Sequence, residues 1–453
     1  MSHHDVDHAF LEALGMKKIW ILAGLVLALF VVGCSKSQAT PAPENANAEG
    51  SVAGADGRRA VGDDLASCVL VQGEQTMTSQ QWADASNQFA LAMLSKLPDS
   101  RMTVFSPYSI ERAVGMVYEG ACGETATEIR KALAMPDATN ISLAGAEIET
   151  LMTGHVAPEM TLAIDNRVWV EKAYTLMEDY VRRVDAAYHA QPVSLDFSGD
   201  PEGSRKKIND DVALSTKDRI RDLLPPGAID IVTRLILTNA VYFKAPWKDA
   251  FSPDHTVDAE FRGSAANSTV RMMHHSKNHR VYMDDAFVAF DMDFIADNYT
   301  FMVVLPTLAD GMTGDGALRA VEEKLSAEKI REIRAQMENV KVNLSIPKFK
   351  IESDMKLAPM LRSLGMNLAF GDADFRGING GRDLRIAEVI HKAFIEVAEE
   401  GAEAAAATAV LVKTRSLRPQ ERSLDIVVDH PFFFAILEKS TGTALFVGHV
   451  KDL

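Results

Sequence analysis

The residues whose order suggests chemistry lie near the C-terminus. They run Glu399-Glu400-Gly401-Ala402-Glu403-Ala404-Ala405-Ala406-Ala407-Thr408-Ala409-Val410, with Arg415-Ser416 a few positions on. Four consecutive alanines favour a helix, since alanine has the highest helix propensity. Gly401 is conformationally permissive, and the stretch from Thr408 to Val412 is strand-like. The segment is small-sided and undecided between helix and strand, with a basic residue presented beyond it. Such a loop is suited to changing its structure, which points to a protease inhibitor rather than an enzyme.

Little else offers catalysis. The chain has no Gly-x-Ser-x-Gly elbow, Walker loop, dinucleotide fingerprint or His-Glu-x-x-His helix. His274, His275 and His279 form a cluster just after a strand-like stretch, but no acidic or cysteine partner lies nearby in sequence. They read as surface or partly buried histidines and not as metal ligands, and no cofactor is expected.

At 453 residues the chain is long enough for a large core. Its 47% hydrophobic and 24% charged content is that of a soluble globular protein. A net charge of −16 argues against a nucleic-acid binder, which needs clustered Lys and Arg to replace phosphate counterions. Lys17 and Lys18 precede an apolar run from Ile19 to Val32 that ends in Gly33-Cys34, which is the pattern of a secretory signal. Cys34 is placed as in a bacterial lipobox, where it is lipidated and becomes the mature N-terminus. A membrane anchor is the alternative, although the run is shorter than a span usually needs. The expected division is 1–15 as a mis-assigned start, 16–33 as signal peptide, 34–75 as lipidated cysteine and flexible tether, and 76–453 as one domain. Cys68 and Cys122 are compatible with a disulfide or with free thiols.

Stepping along the chain, Gln80 to Leu97 carries apolar residues at helical spacing (Trp82, Phe89, Met93, Leu97). Helices are also expected over Ser109 to Glu119, Thr125 to Ala134 and Leu176 to Tyr188. Strands are expected over Thr161 to Val170, Phe301 to Leu305, Lys341 to Ile351 and Ile386 to Ala398. Leu235 to Phe243 is a continuous apolar run of the kind buried on both faces. Val427 to Leu437 and Ala444 to Val450 form a final pair. Early helices followed by many strands indicate an α+β domain.

Five segments carry a resemblance. They are Val104-Phe105-Ser106-Pro107-Tyr108-Ser109-Ile110, Leu237-Thr238-Asn239-Ala240-Val241-Tyr242-Phe243-Lys244-Ala245-Pro246-Trp247, Ile346-Pro347-Lys348-Phe349-Lys350-Ile351, Val389-Ile390-His391-Lys392-Ala393 and Asp429-His430-Pro431-Phe432-Phe433-Phe434. In order and spacing they resemble the signature segments of the serpin family of serine protease inhibitors, over about residues 80–453. The resemblance implies the serpin fold: about nine helices and three β-sheets, with a large central sheet A and an exposed reactive-centre loop.

By the same resemblance, Glu399, Gly401, Ala402, Glu403, Ala404, Ala405, Ala406, Ala407 and Thr408 form the hinge of that loop. After cleavage the hinge must enter sheet A as a new strand, with side chains alternating between faces. Ala402, Ala404, Ala406 and Thr408 then face the core, all small and uncharged, so insertion meets neither overpacking nor a buried charge. Members usually carry Thr or Ser where this chain has Ala402. The family's loop length places the reactive bond at Arg415-Ser416, fourteen positions beyond Gly401, an antithrombin-like pair that implies a trypsin-like serine protease as covalent partner. Lys413 is the rival, while Arg418 is disfavoured by Pro419. Ser106, Ser109, Asn239 and His391 match the polar cluster where the sheet opens, and Lys348, Glu399 and Trp247 the breach above it. The helix expected over Thr125–Ala134 offers only Arg130 and Lys131, so no heparin-type cofactor is expected. Arg205-Lys206-Lys207 reads as a solvated helix face. A monomer tethered by lipid in the bacterial cell envelope, at the outer membrane, on its periplasmic or extracellular side, completes the expectation.

Overall fold

A computed structural model of the chain describes residue 68 and residues 75–97, 101–154, 157–309, 311–402 and 423–453. The expected lipidation at Cys34, the hinge residues Glu403, Ala404, Ala405, Ala406, Ala407 and Thr408, and the bond Arg415-Ser416 lie outside these residues.

Ten α-helices occur among the described residues: α1 (Ser79–Leu94), α2 (Pro107–Tyr118), α3 (Gly123–Ala132), α4 (Ile141–Thr153), α5 (Glu178–Tyr188), α6 (Pro201–Ser215), α7 (Gly314–Glu322), α8 (Ala327–Gln336), α9 (Ala358–Ser363) and α10 (Arg376–Asn379). Local chemistry sets their starts. Thr78 and Gln81 form a capping box on α1. Ser106 caps α2 by accepting from the Ser109 N–H, with Pro107 at the first helical position. Every residue of α2 is buried, so this helix runs through the core and carries Ser106 and Ser109 with it.

The strands β1 (Met102–Phe105), β2 (Thr161–Glu171), β3 (Val193–Leu195), β4 (Leu235–Pro246), β5 (Val257–Arg262), β6 (Asn267–Met283), β7 (Phe287–Asp293), β8 (Tyr299–Pro306), β9 (Glu338–Pro347), β10 (Phe349–Lys356), β11 (Glu388–Ala398), β12 (Gly401–Ala402), β13 (Leu424–Val427), β14 (Phe432–Glu438) and β15 (Ala444–Val450) form two hydrogen-bonded sheets. The six-stranded one, ordered β10-β11-β12-β4-β2-β3, is sheet A. The other nine join along β1-β15-β14-β8-β7-β6-β9-β13, with β5 on β6. Three sheets are expected from the resemblance. The remaining two are fused here because β6 is 17 residues long and pairs with β5 at one end and β7 at the other.

β4 is buried along nearly its whole length because both faces are covered. Leu235, Leu237, Val241, Phe243 and Ala245 join the main core. Ile236 and Ala240 face a second cluster with Ile208 and Val212 of α6. The alternation is the two-residue period of a strand.

Two expected strands are each broken by a proline, which has no N–H for a ladder. Lys341 to Ile351 divides after Pro347 into β9 and β10, with the Lys348 N–H turned to the Arg271 carbonyl. Val427 to Leu437 divides before Phe432, at Pro431, into β13 and β14. Cys68 and Cys122 form a disulfide. On α6, Arg205 turns back to Glu202 and the Leu224 carbonyl, and Lys207 pairs with Asp211, so the basic run is internally neutralised.

Candidate functional site

β4 and β11 are parallel neighbours at the centre of sheet A, paired from Ile236 opposite Glu388 to Tyr242 opposite Phe394. Beyond that point they part, and β12 lies between them. Gly401 is registered with Ala398 on one side and Pro246 on the other, and Ala402 with Val397 and Ala245. Gly401 and Ala402 thus already form an antiparallel strand inside the sheet. Ala402 has no exposed surface and belongs to the main core. Gly401 has φ +156°, and a Cβ there would collide with the Ala245 carbonyl oxygen and lie 2.6 Å from Pro246 Cα. Only glycine fits this entry point.

Above β12, Trp247 and its neighbours hold the chain that feeds it. The Trp247 backbone N–H donates to the Glu400 carbonyl at 2.8 Å, and its indole Nε1–H to the Ala398 carbonyl at 2.8 Å. Trp247 stacks on Phe294 at 4.6 Å. The Phe251 N–H donates to the Glu399 carbonyl at 2.9 Å. Glu399 itself pairs with Lys348 at 2.6 Å and accepts from Thr256 Oγ1 at 2.9 Å. Burial pushes the Glu399 carboxyl up, but the hydrogen bonds it accepts, the one from Lys348 foremost, outweigh this and hold it below the usual range.

Below β12, the seam between β4 and β11 is crossed by a buried polar cluster. Asn166 on β2, Asn239 on β4 and His391 on β11 stand directly opposite one another. The Ser106 N–H donates to His391 Nε2 at 3.1 Å. A backbone N–H can only donate, so Nε2 is the acceptor and Nδ1 carries the proton, which it gives to Asn239 Oδ1. The Asn239 amide donates in turn to Ser109 Oγ and Asn166 Oδ1, and Ser109 Oγ donates to Asn166 Oδ1 at 2.7 Å. Burial pushes His391 down to about 3, so the ring is neutral. All of Ser106, Ser109, Asn239 and His391 are buried, and each found a partner, as buried polar groups must.

The structure therefore brings Ser106, Ser109, Asn239 and His391 into one cluster, and Lys348, Glu399 and Trp247 into a second. Asn166 is a member that the sequence reading missed. Its signal was faint: one asparagine within an otherwise half-buried strand. His274, His275 and His279 lie on β6, and no group of three or more metal-ligating side chains is assembled among the described residues.

Residues 84–453 match the family model described as Serpin (serine protease inhibitor). The chain belongs to the serpin family. An uncharacterized serpin-like protein of Thermococcus kodakarensis is 33% identical over 436 residues, covering 95% of this chain and 98% of that protein. Leukocyte elastase inhibitor A of Rattus norvegicus is 35% identical over 386 residues, covering 82% and 99% respectively. Among solved structures, human thyroxine-binding globulin complexed with thyroxine has a TM-score of 0.72 at 26% identity, covering 83% of this chain and 99% of that one. Serpins are mostly protease inhibitors and commonly form complexes with serine proteases.

Proposed function

We propose that this serpin inhibits trypsin-like serine endopeptidases as a suicide substrate cleaved after Arg415. The protease's serine oxygen attacks the Arg415 carbonyl carbon, the bond to Ser416 breaks, and Ser416 leaves as a new amino terminus. An ester then joins Arg415 to the protease. The freed hinge continues the path that β12 has begun, between β4 and β11. Each direct β4–β11 hydrogen bond broken is replaced by bonds from both strands to the incoming one, so insertion adds net ladder bonds at about 0.5–1.5 kcal/mol each. The protease is drawn along and its catalytic site is distorted before water reaches the ester. The protease supplies every catalytic group; the serpin supplies stored free energy and speed.

The observation that carries this reading is Ala402, a small inward-facing residue fully buried between β4 and β11. Arginine at position 415 suits a deep protease pocket with an acid at its base, which separates this chain from relatives named for elastase. The signal segment ending at Cys34 supports export and lipid anchoring in the cell envelope. The Cys68–Cys122 disulfide supports an oxidising compartment.

Incubation with trypsin tests the reading. An SDS-stable complex of summed mass, with a released fragment beginning at Ser416, is expected; a fragment beginning at Thr414 moves the bond to Lys413. Clean cleavage without a complex rejects inhibition in favour of a binding protein. Thyroxine-binding globulin, solved with its ligand, keeps that second reading in view.

A further inference from the structure

Beside Trp247, the described surface opens into a cavity of about 400 Å³, lined in part by Asp249, His275, His279, Asp291 and Asp293. His275 and His279, on the same strand, direct their Nε2 atoms at each other 2.9 Å apart. His279 Nδ1 lies 3.0 Å from the Asp291 carbonyl oxygen. A carbonyl only accepts, so Nδ1 carries the proton and the His279 Nε2 lone pair faces His275. His275 then donates from Nε2, and its Nδ1 is buried without a hydrogen-bond partner.

We propose that His275 and His279 are a two-imidazole site for a borderline divalent transition ion such as zinc, nickel or copper. Imidazole nitrogen suits these ions. The hydrogen bond from His279 Nδ1 to a backbone carbonyl is the outer-shell arrangement that fixes a metal-binding tautomer. Two nitrogens on a tetrahedral ion, each about 2.0–2.1 Å from it, lie roughly 3.3 Å apart. The rings need to separate by only a few tenths of an ångström, with the His275 proton passing from Nε2 to Nδ1. The ion replaces a hydrogen bond between two neutral rings, so no buried charge must first be neutralised. The cavity's carboxylates already hold cations: Asp249 with Lys277 at 2.9 Å, Asp291 with Arg280 at 3.5 Å and Asp293 with Lys439 at 3.1 Å. Water therefore completes the coordination, and the site is open.

The site also touches the hinge. The Phe251 ring stacks on His275 at 4.0 Å with 9° between planes, and the Phe251 N–H holds the Glu399 carbonyl. Ion binding itself does not depend on the chain being an inhibitor.

The test uses the full chain with His3→Gln, His4→Gln and His8→Gln, which removes the N-terminal histidines as competing ligands. One equivalent of Cu²⁺ is expected to show two imidazole nitrogens by electron paramagnetic resonance, and to displace Zn²⁺ bound beforehand. His279→Gln should weaken Cu²⁺ binding at least tenfold, whereas His274→Gln should leave it unchanged. Should His279→Gln fail to fold, Zn²⁺ protection of His275 and His279 against diethyl pyrocarbonate, read by mass spectrometry, decides on the unsubstituted pair. Binding unaltered by His279→Gln, or no protection of either ring, overturns the proposal.

Discussion

Asn239 on β4 and His391 on β11 face each other across the seam of sheet A and share a hydrogen bond. They are therefore bonded across the same boundary that the proposed insertion would separate. Ser106 and Asn239 occupy the two ring nitrogens of His391, so replacing it with alanine leaves a buried N–H and a buried carbonyl unpartnered. Each such orphan costs about 1–3 kcal/mol. His391→Ala is expected to lower the urea midpoint markedly, and a midpoint within error of the parent would show that the cluster does not hold the seam.

The same histidine sets a pH dependence. Its folded value of about 3 lies below the ordinary 6.5, so the unfolded chain binds the extra proton first as acid is added. Stability is full above about pH 6.5 and falls as pH drops toward 3, by about 1.4 kcal/mol per pH unit for this group alone. His275, pushed down to about 3 chiefly by burial, adds a contribution of the same sign. Unfolding free energies measured from pH 7 to 4 should decline, and less steeply in His391→Gln.

Gly401→Ala places a methyl group against the Ala245 carbonyl oxygen and Pro246. β12 is expected to leave the sheet, which disturbs both hydrogen bonds from Trp247 to the chain before it. The check is tryptophan emission together with limited proteolysis near residue 401: a red shift and faster cutting are expected, and no change in either would mean that the strand tolerates a side chain there.

Ala402→Arg sets a guanidinium in the core, where an unpaired charge is strongly disfavoured. The proposed insertion then stalls at position 402. The variant should be cut by trypsin with little stable complex, raising the number of serpin molecules consumed per protease at least tenfold. Retention of parental complex yield would argue against entry along β12.

Reduction of Cys68–Cys122, or Cys122→Ser, frees a closure spanning 54 residues. On the loop-entropy model this removes about 4 kcal/mol. Denaturation with and without dithiothreitol measures it, the expected result being a lower midpoint in reductant for the parent only.

Much of this was legible in the chain itself. The apolar run at Leu235–Phe243 announced a strand covered on both faces, and the spacing of Trp82, Phe89 and Met93 announced α1. Those are local patterns with periods of two and 3.6 residues. The motifs around Ser106, Asn239, His391 and Lys348 named the family because they recur in order. What escaped was whatever depends on partners distant in sequence. Asn166 joins the cluster only through its register with Asn239, and a one-residue slip would turn it to the other face. α6 was legible only as the helix face at Arg205-Lys206-Lys207, because it covers the sheet with a narrow stripe that includes Ile208 and Val212 and leaves little periodicity to read. The pairing of Cys68 with Cys122, the fusion of two sheets along β6, and the place of Gly401 and Ala402 inside sheet A were decided by tertiary structure alone. Sequence determined that Gly401 and Ala402 are small and uncharged, as the proposed insertion requires, because size and charge belong to each residue. That they already lie between β4 and β11 depended on two strands parting beyond Tyr242 and Phe394, a relation in space that no single segment contains.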